Sequence, residues 1–368
     1  MKKITFRERQ RIISHNIQMR NLPTSKRVII KHKINPVLAI KKWVNDNQEF
    51  ISVLDSKKYT YSITFPKRLN FSDNYQKSVR SINSIRKLIG LNGVRHRLKN
   101  INLNNIENIS TSASLVLTAE IDKWNDKVGR RLVPQTEEWN DSVKAQLSDL
   151  GFFELFNFEK CNFEAKPTKL NIVKFIKGAP GDEKKAKYLR EKIEEIVGNR
   201  VKRPPLFQAL SEAITNVTHH AYPQETKINK HWYMTASFCD DTRELKVAFY
   251  DQGIGIPSSL PRSKLWERAK AYMSSISVYN DHPSLIEAAV EMGRSQTDQE
   301  NRGKGLQDLL EFIKQYGNGY MSILSQKGLY KFSCIDRNHH TKKEALKYPI
   351  LGTLIVWSVK IPEKGGRS

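Results

Sequence analysis

The sequence predicts an α/β protein, and three observations carry that expectation. Segments that alternate polar and apolar residues take turns with segments whose apolar residues recur every three or four positions. A glycine-rich turn, Asp251-Gln-Gly-Ile-Gly255-Ile256, follows a strand pattern, and a second one, Arg302-Gly-Lys-Gly305-Leu306, opens a helix pattern. Between residues 206 and 221 the apolar residues fall on one helical face and the polar ones on the other.

The elements follow in order. Residues 1–50 are basic and poorly patterned, and they read as an N-terminal arm. Tyr59 to Phe65 alternates as a half-buried strand does. Phe71 to Leu88 has the spacing of an amphipathic helix, and Leu98 to Leu103 alternates again. Ser112 to Trp124 reads as a helix whose N-cap lies among Ser110, Thr111 and Ser112, because their hydroxyls can accept the first free N–H groups. Val143 to Leu150 is a short helix closed by Gly151. A linker over 162–170 separates a smaller α/β unit, 51–165, from a larger one, 168–362.

The larger unit starts with a strand at Leu170 to Ile176 and a charged helix between Gly181 and Gly198. Pro204-Pro205 restarts the chain as a helix, since proline suits a first helical turn. Strands at Trp232–Phe238 and Leu245–Tyr250 follow, then a long polar segment, 257–301. A helix from Gly305 to Tyr316 is stopped by Gly317 and Gly319, and three more strands are expected at Tyr320–Ser325, Tyr330–Cys334 and Thr353–Val359.

The bulk properties narrow the class. At 368 residues and 39% apolar content the chain can fill two cores. It has no apolar run of membrane-spanning length and no secretory start. Three distant cysteines, Cys161, Cys239 and Cys334, suggest neither a disulfide framework nor zinc, and the expected compartment is a reducing cytoplasm. The net charge is +24 and uneven: residues 1–50 hold 12 Lys/Arg against 3 Asp/Glu, and residues 51–100 hold 11 against 2. The first hundred residues thus carry 18 of the 24 excess charges, which suits an anionic partner: nucleic acid, a membrane surface or an acidic protein.

Three motifs carry the chemistry. In the first, Leu206, Leu210, Ala213, Ile214, Val217 and Ala221 form a packing stripe, while Glu212, Asn216 and His219 form a polar one. Asn216 offers a neutral oxygen that can ligate Mg²⁺, and Glu212, one turn away, can accept a proton from an attacking water or hydroxyl. In the second, Asp251 ends a strand, where a carboxylate can accept a hydrogen bond from an adenine amino group. Gly253 and Gly255 allow the backbone to approach the base. In the third, Gly303 and Gly305 expose N–H groups at a helix start, where phosphate is favoured, and Arg302 and Lys304 add positive charge. Together they point to an ATP pocket.

With these motifs in place, residues 168–362 resemble the GHKL class, the ATP-binding domains shared by histidine kinases, gyrase, Hsp90 and mismatch-repair ATPases. The run from Glu212 to Tyr222 is most similar to the anti-sigma-factor serine kinases. The resemblance implies an α/β sandwich, a mixed sheet with helices on one face and ATP between them. It also implies Glu212 as general base and Asn216 as the Mg²⁺ ligand. Asp251 would read adenine beside Gly253, Gly255 and Ile256, and Arg302, Gly303, Lys304, Gly305 and Leu306 would hold the phosphates. The segment 257–301 takes the place of the ATP lid, with Thr297 brought to the phosphates on closure. It is longer than the lid of the small anti-sigma kinases.

The smaller unit, 51–165, has a strand, turn and helix over Ile101 to Leu117 that look like those of STAS domains, the fold of anti-sigma-factor antagonists. The likeness implies Thr111 and Ser112 as phosphoacceptor positions, although Ser110 stands where that family has Asp, and the following Gly is missing. Three functions are expected on these grounds. The first is an ATP- and Mg²⁺-dependent regulatory protein that hydrolyses ATP or phosphorylates Ser/Thr of a partner protein. The second is a GHKL ATPase coupling closure to nucleic acid held by residues 1–100. The third is an ATP-binding interaction module without turnover. A homodimer is compatible with each. A histidine kinase fits less well, because no dimerisation segment carrying a phosphoacceptor His precedes residue 170.

Overall fold

The computed structural model describes residues 36–56, 60–89, 97–128, 134, 136–156, 170–182, 184–198, 210–211, 214–215, 221–222, 230–275, 281–294 and 305–362. It is a mixed α/β structure containing both parallel and antiparallel strand pairs. Contacts gather the chain into two units, residues 1–48 with 91–95, and residues 49–90 with 96–368. In the first unit the described residues include helix α1 (Pro36–Asp46), so the predicted basic arm holds a helix there. Asn47 closes it by donating from Nδ2 to the Trp43 carbonyl at 2.8 Å.

The second unit begins with β1 (Ile51–Asp55), β2 (Thr60–Thr64) and β4 (Arg97–Asn102) in the order β1-β2-β4. β1 is antiparallel to β2, and β2 is parallel to β4 across helix α2 (Tyr75–Ile89). Short strands β3 (Arg68–Leu69) and β5 (Asn108–Ile109) pair in parallel beside them. Helix α3 (Thr111–Val128) follows, and Ser110 Oγ accepts from the Ala113 N–H at 3.2 Å as its cap. Helix α4 (Asp141–Leu150) is capped by Asn140 and ends at Gly151, whose φ of 85° favours glycine.

The larger sheet contains β6 (Leu170–Ile172), β7 (Ile176–Gly178), β8 (Trp232–Cys239), β9 (Glu244–Asp251), β10 (Gly319–Ile335) and β11 (Asn338–Lys360). Its order is β10-β11-β9-β8-β6, with β7 also on β8, and every pairing is antiparallel. The parallel pairs therefore sit in the smaller sheets, not in this one. Strand alternation sends Trp232, Met234, Ala236 and Phe238 of β8 and Leu245, Val247 and Phe249 of β9 to one face. There they meet α5 (Lys184–Val197), α8 (His282–Arg294), α9 (Gly305–Tyr316) and the helical residues Leu210 and Ile214 in one core.

The opposite face is covered too, which differs from a sheet with helices on one side only. Helix α3 lies across it. Thr111 Oγ1 is 2.8 Å from Ser237 Oγ, the Tyr233 hydroxyl donates to Asp122 at 2.6 Å, and the Tyr250 hydroxyl donates to Glu120 at 2.8 Å. These residues alternate with the core residues of the same strands, so Tyr233, Ser237 and Tyr250 meet a helix, not water. That docking is why residues on either side of the expected 165/168 boundary share one contact unit.

Two other segments differ from their patterns. The strands expected at 320–325 and 330–334 are one strand, β10, bent where Gln326 takes a φ of 51° and the register with β11 shifts. At the bend Gly328 lies against α8, where a Cβ would sit 2.6 Å from Ile286 Cδ1. The polar segment 257–301 is mostly helical among its described residues, as α6 (Ile256–Ser259), α7 (Trp266–Ser275) and α8. α8 belongs to the main core through Ile286 and Val290, and its other side packs on α7 through Leu285 and Ala288. The described part of the expected lid is therefore packed structure.

Candidate functional site

Asp251 is the last residue of β9 and stands between Trp232 of β8 and Thr353 of β11 in the sheet register. Alternation puts it on the same face as Phe249 and Val247, toward the helices. Only 4% of it is exposed. Its Oδ1 accepts from the Gly253 N–H at 2.7 Å, a turn the carboxylate makes with its own backbone. Burial pushes its pKa up to about 6, and the Gly253 N–H, the Thr353 hydroxyl and the Arg86 charge pull it part of the way back.

The turn after Asp251 is fastened on both sides. The Ile254 N–H donates to the Ala221 carbonyl at 2.8 Å, so motif two is tied to the end of the motif-one helix. Gly253 permits this contact, because a Cβ there would lie 2.3 Å from the Ala221 oxygen. Gly255 has a φ of +81°, and a Cβ on it would meet Ser325 Oγ at 2.8 Å. That same Oγ accepts from the Ile256 N–H at 2.9 Å and donates to the Gly352 carbonyl at 3.1 Å. Gln326 Nε2 donates to the Ile254 carbonyl at 2.7 Å.

The described parts of the three motifs border one core. Leu210 and Ile214 of the first motif are fully buried in it, as their stripe predicts, and Ala221 is nearly so. Tyr222, Ile256 and Leu306 pack against its edge as partly buried side chains. Gly305 begins α9, and Gln307 ties that end to α8 by donating to the Val290 carbonyl at 2.8 Å. Glu212, Asn216, Thr297, Arg302, Gly303 and Lys304 lie outside the described residues, as do Ala213, Val217, His219 and His220.

The phosphoacceptor candidates sit on the other side of the sheet. Thr111 is 7% exposed and hydrogen-bonded to Ser237, so a phosphate on its Oγ1 requires α3 to leave the sheet. Ser112 is less buried, and its Oγ is 3.2 Å from Ser110 Oγ.

Several contributors escaped the sequence reading. Thr353 and Ser325 read as ordinary strand residues, and their role follows only from register. Gly352 has a φ of +108°, and a Cβ there would lie 1.9 Å from the Asp251 carbonyl oxygen. A glycine interrupting a strand pattern was the available signal. Tyr222 accepts from the Gln252 N–H at 3.2 Å and donates to the His231 carbonyl at 2.6 Å, which ties the turn to the segment before β8.

A separate groove of about 560 Å³ is lined by Thr64, Phe65, Lys67, Arg68, Asn74 and Lys77, among others. Its cations face carboxylates, Lys67 to Glu107 at 2.7 Å, Arg68 to Asp73 at 2.9 Å and Lys77 to Glu49 at 3.3 Å. It shares none of the chemistry at Asp251. No family model matches this chain, and no curated protein matches it either.

Proposed function

We propose that this chain binds ATP with Mg²⁺ on the helix side of the large sheet and uses it to switch a partner protein, by hydrolysis or by phosphorylating Ser/Thr. The observation that carries the reading is Asp251: a buried carboxylate at a strand end, facing the helices, followed by a glycine turn fastened to motif one. A carboxylate so placed is an acceptor for an exocyclic amine, and among the described residues it is hydrogen-bonded by the Gly253 N–H and by Thr353. The donor set therefore suits adenine.

In this reading Asp251 orients the base, and Gly253, Gly255 and Ile256 form the wall beside it. Glu212 removes the proton from the attacking water or hydroxyl, and Asn216 supplies a neutral oxygen to the ion. Arg302, Gly303, Lys304, Gly305 and Leu306 hold the phosphates at the start of α9, where N–H groups and charge favour an anion. Thr297 joins them from the preceding segment. The ion supplies charge neutralisation for the transferred phosphoryl group.

Incubation of the whole chain with γ-labelled ATP and Mg²⁺ tests this. Free phosphate indicates an ATPase, and label on protein indicates a kinase. Absence of ATP binding sinks the reading. Glu212→Ala is expected to retain binding and lose turnover by about 10²- to 10⁴-fold, the usual contribution of a general base; retained turnover removes Glu212 from that role. For the basic half, duplex DNA binding that weakens steeply with salt and persists without ATP favours the nucleic-acid-coupled ATPase.

A further inference from the structure

The geometry points to Arg86 and Glu120 as positioning residues that hold the Asp251–Gly255 turn from the far face of the sheet. The functional meaning of this inference rests on the nucleotide reading above. Arg86 comes from α2 and Glu120 from α3, and their side chains are 18% and 2% exposed. The guanidinium meets the carboxylate in two places, Nε to Oε2 at 2.8 Å and Nη2 to Oε1. Two charges taken from water each lose solvation, and a well-packed apolar pair is often at least as stable. What the pair holds besides itself is therefore informative.

Among the described residues, it also hydrogen-bonds the two residues that flank Asp251. Arg86 Nη2 donates to the Tyr250 hydroxyl at 2.9 Å, and Tyr250 lies 2.8 Å from Glu120 Oε1 as a donor. Gln252 Nε2 donates to the same Oε1 and to the Ala119 carbonyl, both at 3.0 Å. Alternation sends Tyr250 and Gln252 to the α3 face and Asp251 to the helix face between them. The Tyr250 hydroxyl also approaches the Leu351 carbonyl at 2.6 Å, next to Gly352 on the neighbouring strand. The pair thus holds the side chains on either side of the base-reading carboxylate.

The protonation states agree with this arrangement. Burial raises the Glu120 carboxyl, but Arg86 beside it more than offsets that and keeps it ionised. Burial raises the Tyr250 hydroxyl far above neutrality, so it remains a donor. Elsewhere α3 meets the sheet away from the turn. The contact of Thr111 with Ser237, for example, lies near the opposite end of β8 and provides a control. Docking of the N-terminal helices thereby sets the shape of the nucleotide turn.

The test uses the full chain carrying Arg86→Met/Glu120→Leu, which removes both charges together, or Gln252→Leu, which removes none. Amide hydrogen exchange of residues 252–256 is measured without nucleotide, and affinity is measured with a non-hydrolysable ATP analogue and Mg²⁺. Exchange at the turn is expected to rise at least tenfold while residues 244–249 stay protected, and the analogue Kd to weaken at least tenfold. Ser237→Ala is expected to leave both within twofold. Turn exchange and Kd within twofold of wild type in the folded variants overturn the proposal. If the double variant fails to fold, Gln252→Leu decides. If wild type binds no nucleotide, the ATP reading fails, and the exchange measurement alone decides the positioning role.

Discussion

Replacing Asp251 with Asn is expected to stabilise the fold near neutral pH while weakening the site. Asp251 ionises at about 6 when folded and near 3.8 as an isolated side chain. The folded protein thus holds this proton more tightly than the unfolded chain. Between those two values unfolding releases the proton, so stability falls as pH rises through that window and levels off above it. At about 1.4 kcal/mol for each tenfold difference in proton affinity, the loss reaches about 3 kcal/mol by pH 7. Asn removes the charge and still accepts from the Gly253 N–H. Its added N–H₂ needs a new acceptor, for which the Thr353 hydroxyl can turn, so the net gain at pH 7 is about 1–3 kcal/mol. Urea unfolding followed by tryptophan fluorescence reads this directly, since Trp232 stands beside Asp251 in the sheet. The difference between Asn and wild type should be near zero at pH 4 and grow to its full value by pH 7. A difference that stays constant over that range refutes the reasoning, because the cost would then not be one of ionisation. The same variant should bind ATP at least tenfold more weakly, a gain in stability at the expense of a site.

Other outcomes follow from the same contacts. Gly352→Ala, strained at its φ of +108° and driven into the Asp251 carbonyl, should destabilise by about 2–6 kcal/mol; an unchanged melting temperature would sink that argument. Thr111→Val leaves the buried Ser237 hydroxyl without its partner and should lower the unfolding free energy by about 1–3 kcal/mol, read as a shift in the urea midpoint. Gly253→Ala should separate motif two from Ala221 and speed exchange of the Ile254 amide; an amide as protected as in wild type would show that the turn absorbs the methyl elsewhere.

Helix periods and caps were legible because they are local. The α4 helix with its Gly151 stop, the Gly317 stop after α9 and the packing stripe through Leu210 and Ile214 all follow from short-range spacing. The burial of Asp251 was legible from a carboxylate at the end of an apolar strand followed by glycines. The polar letters of β8 and β9 were less informative. Thr235, Ser237, Tyr233 and Tyr250 are buried, but sequence records polarity and not whether a partner supplies the hydrogen bond. Likewise the polar appearance of 257–301 hid α8, whose apolar residues are shared between two cores.

The sequence by itself determined the alternation of strands and helices and the turn at Asp251–Gly255. These rest on φ restrictions, periodicity and side-chain type, which need no knowledge of distant residues. Only the tertiary structure decided that α3 covers the far face of the sheet, that Thr111 is spent on a buried hydrogen bond, and that Arg86 and Glu120 reach both neighbours of Asp251. Those partners are 34 to 164 residues apart in the chain, and no local pattern encodes which buried donor will meet which acceptor.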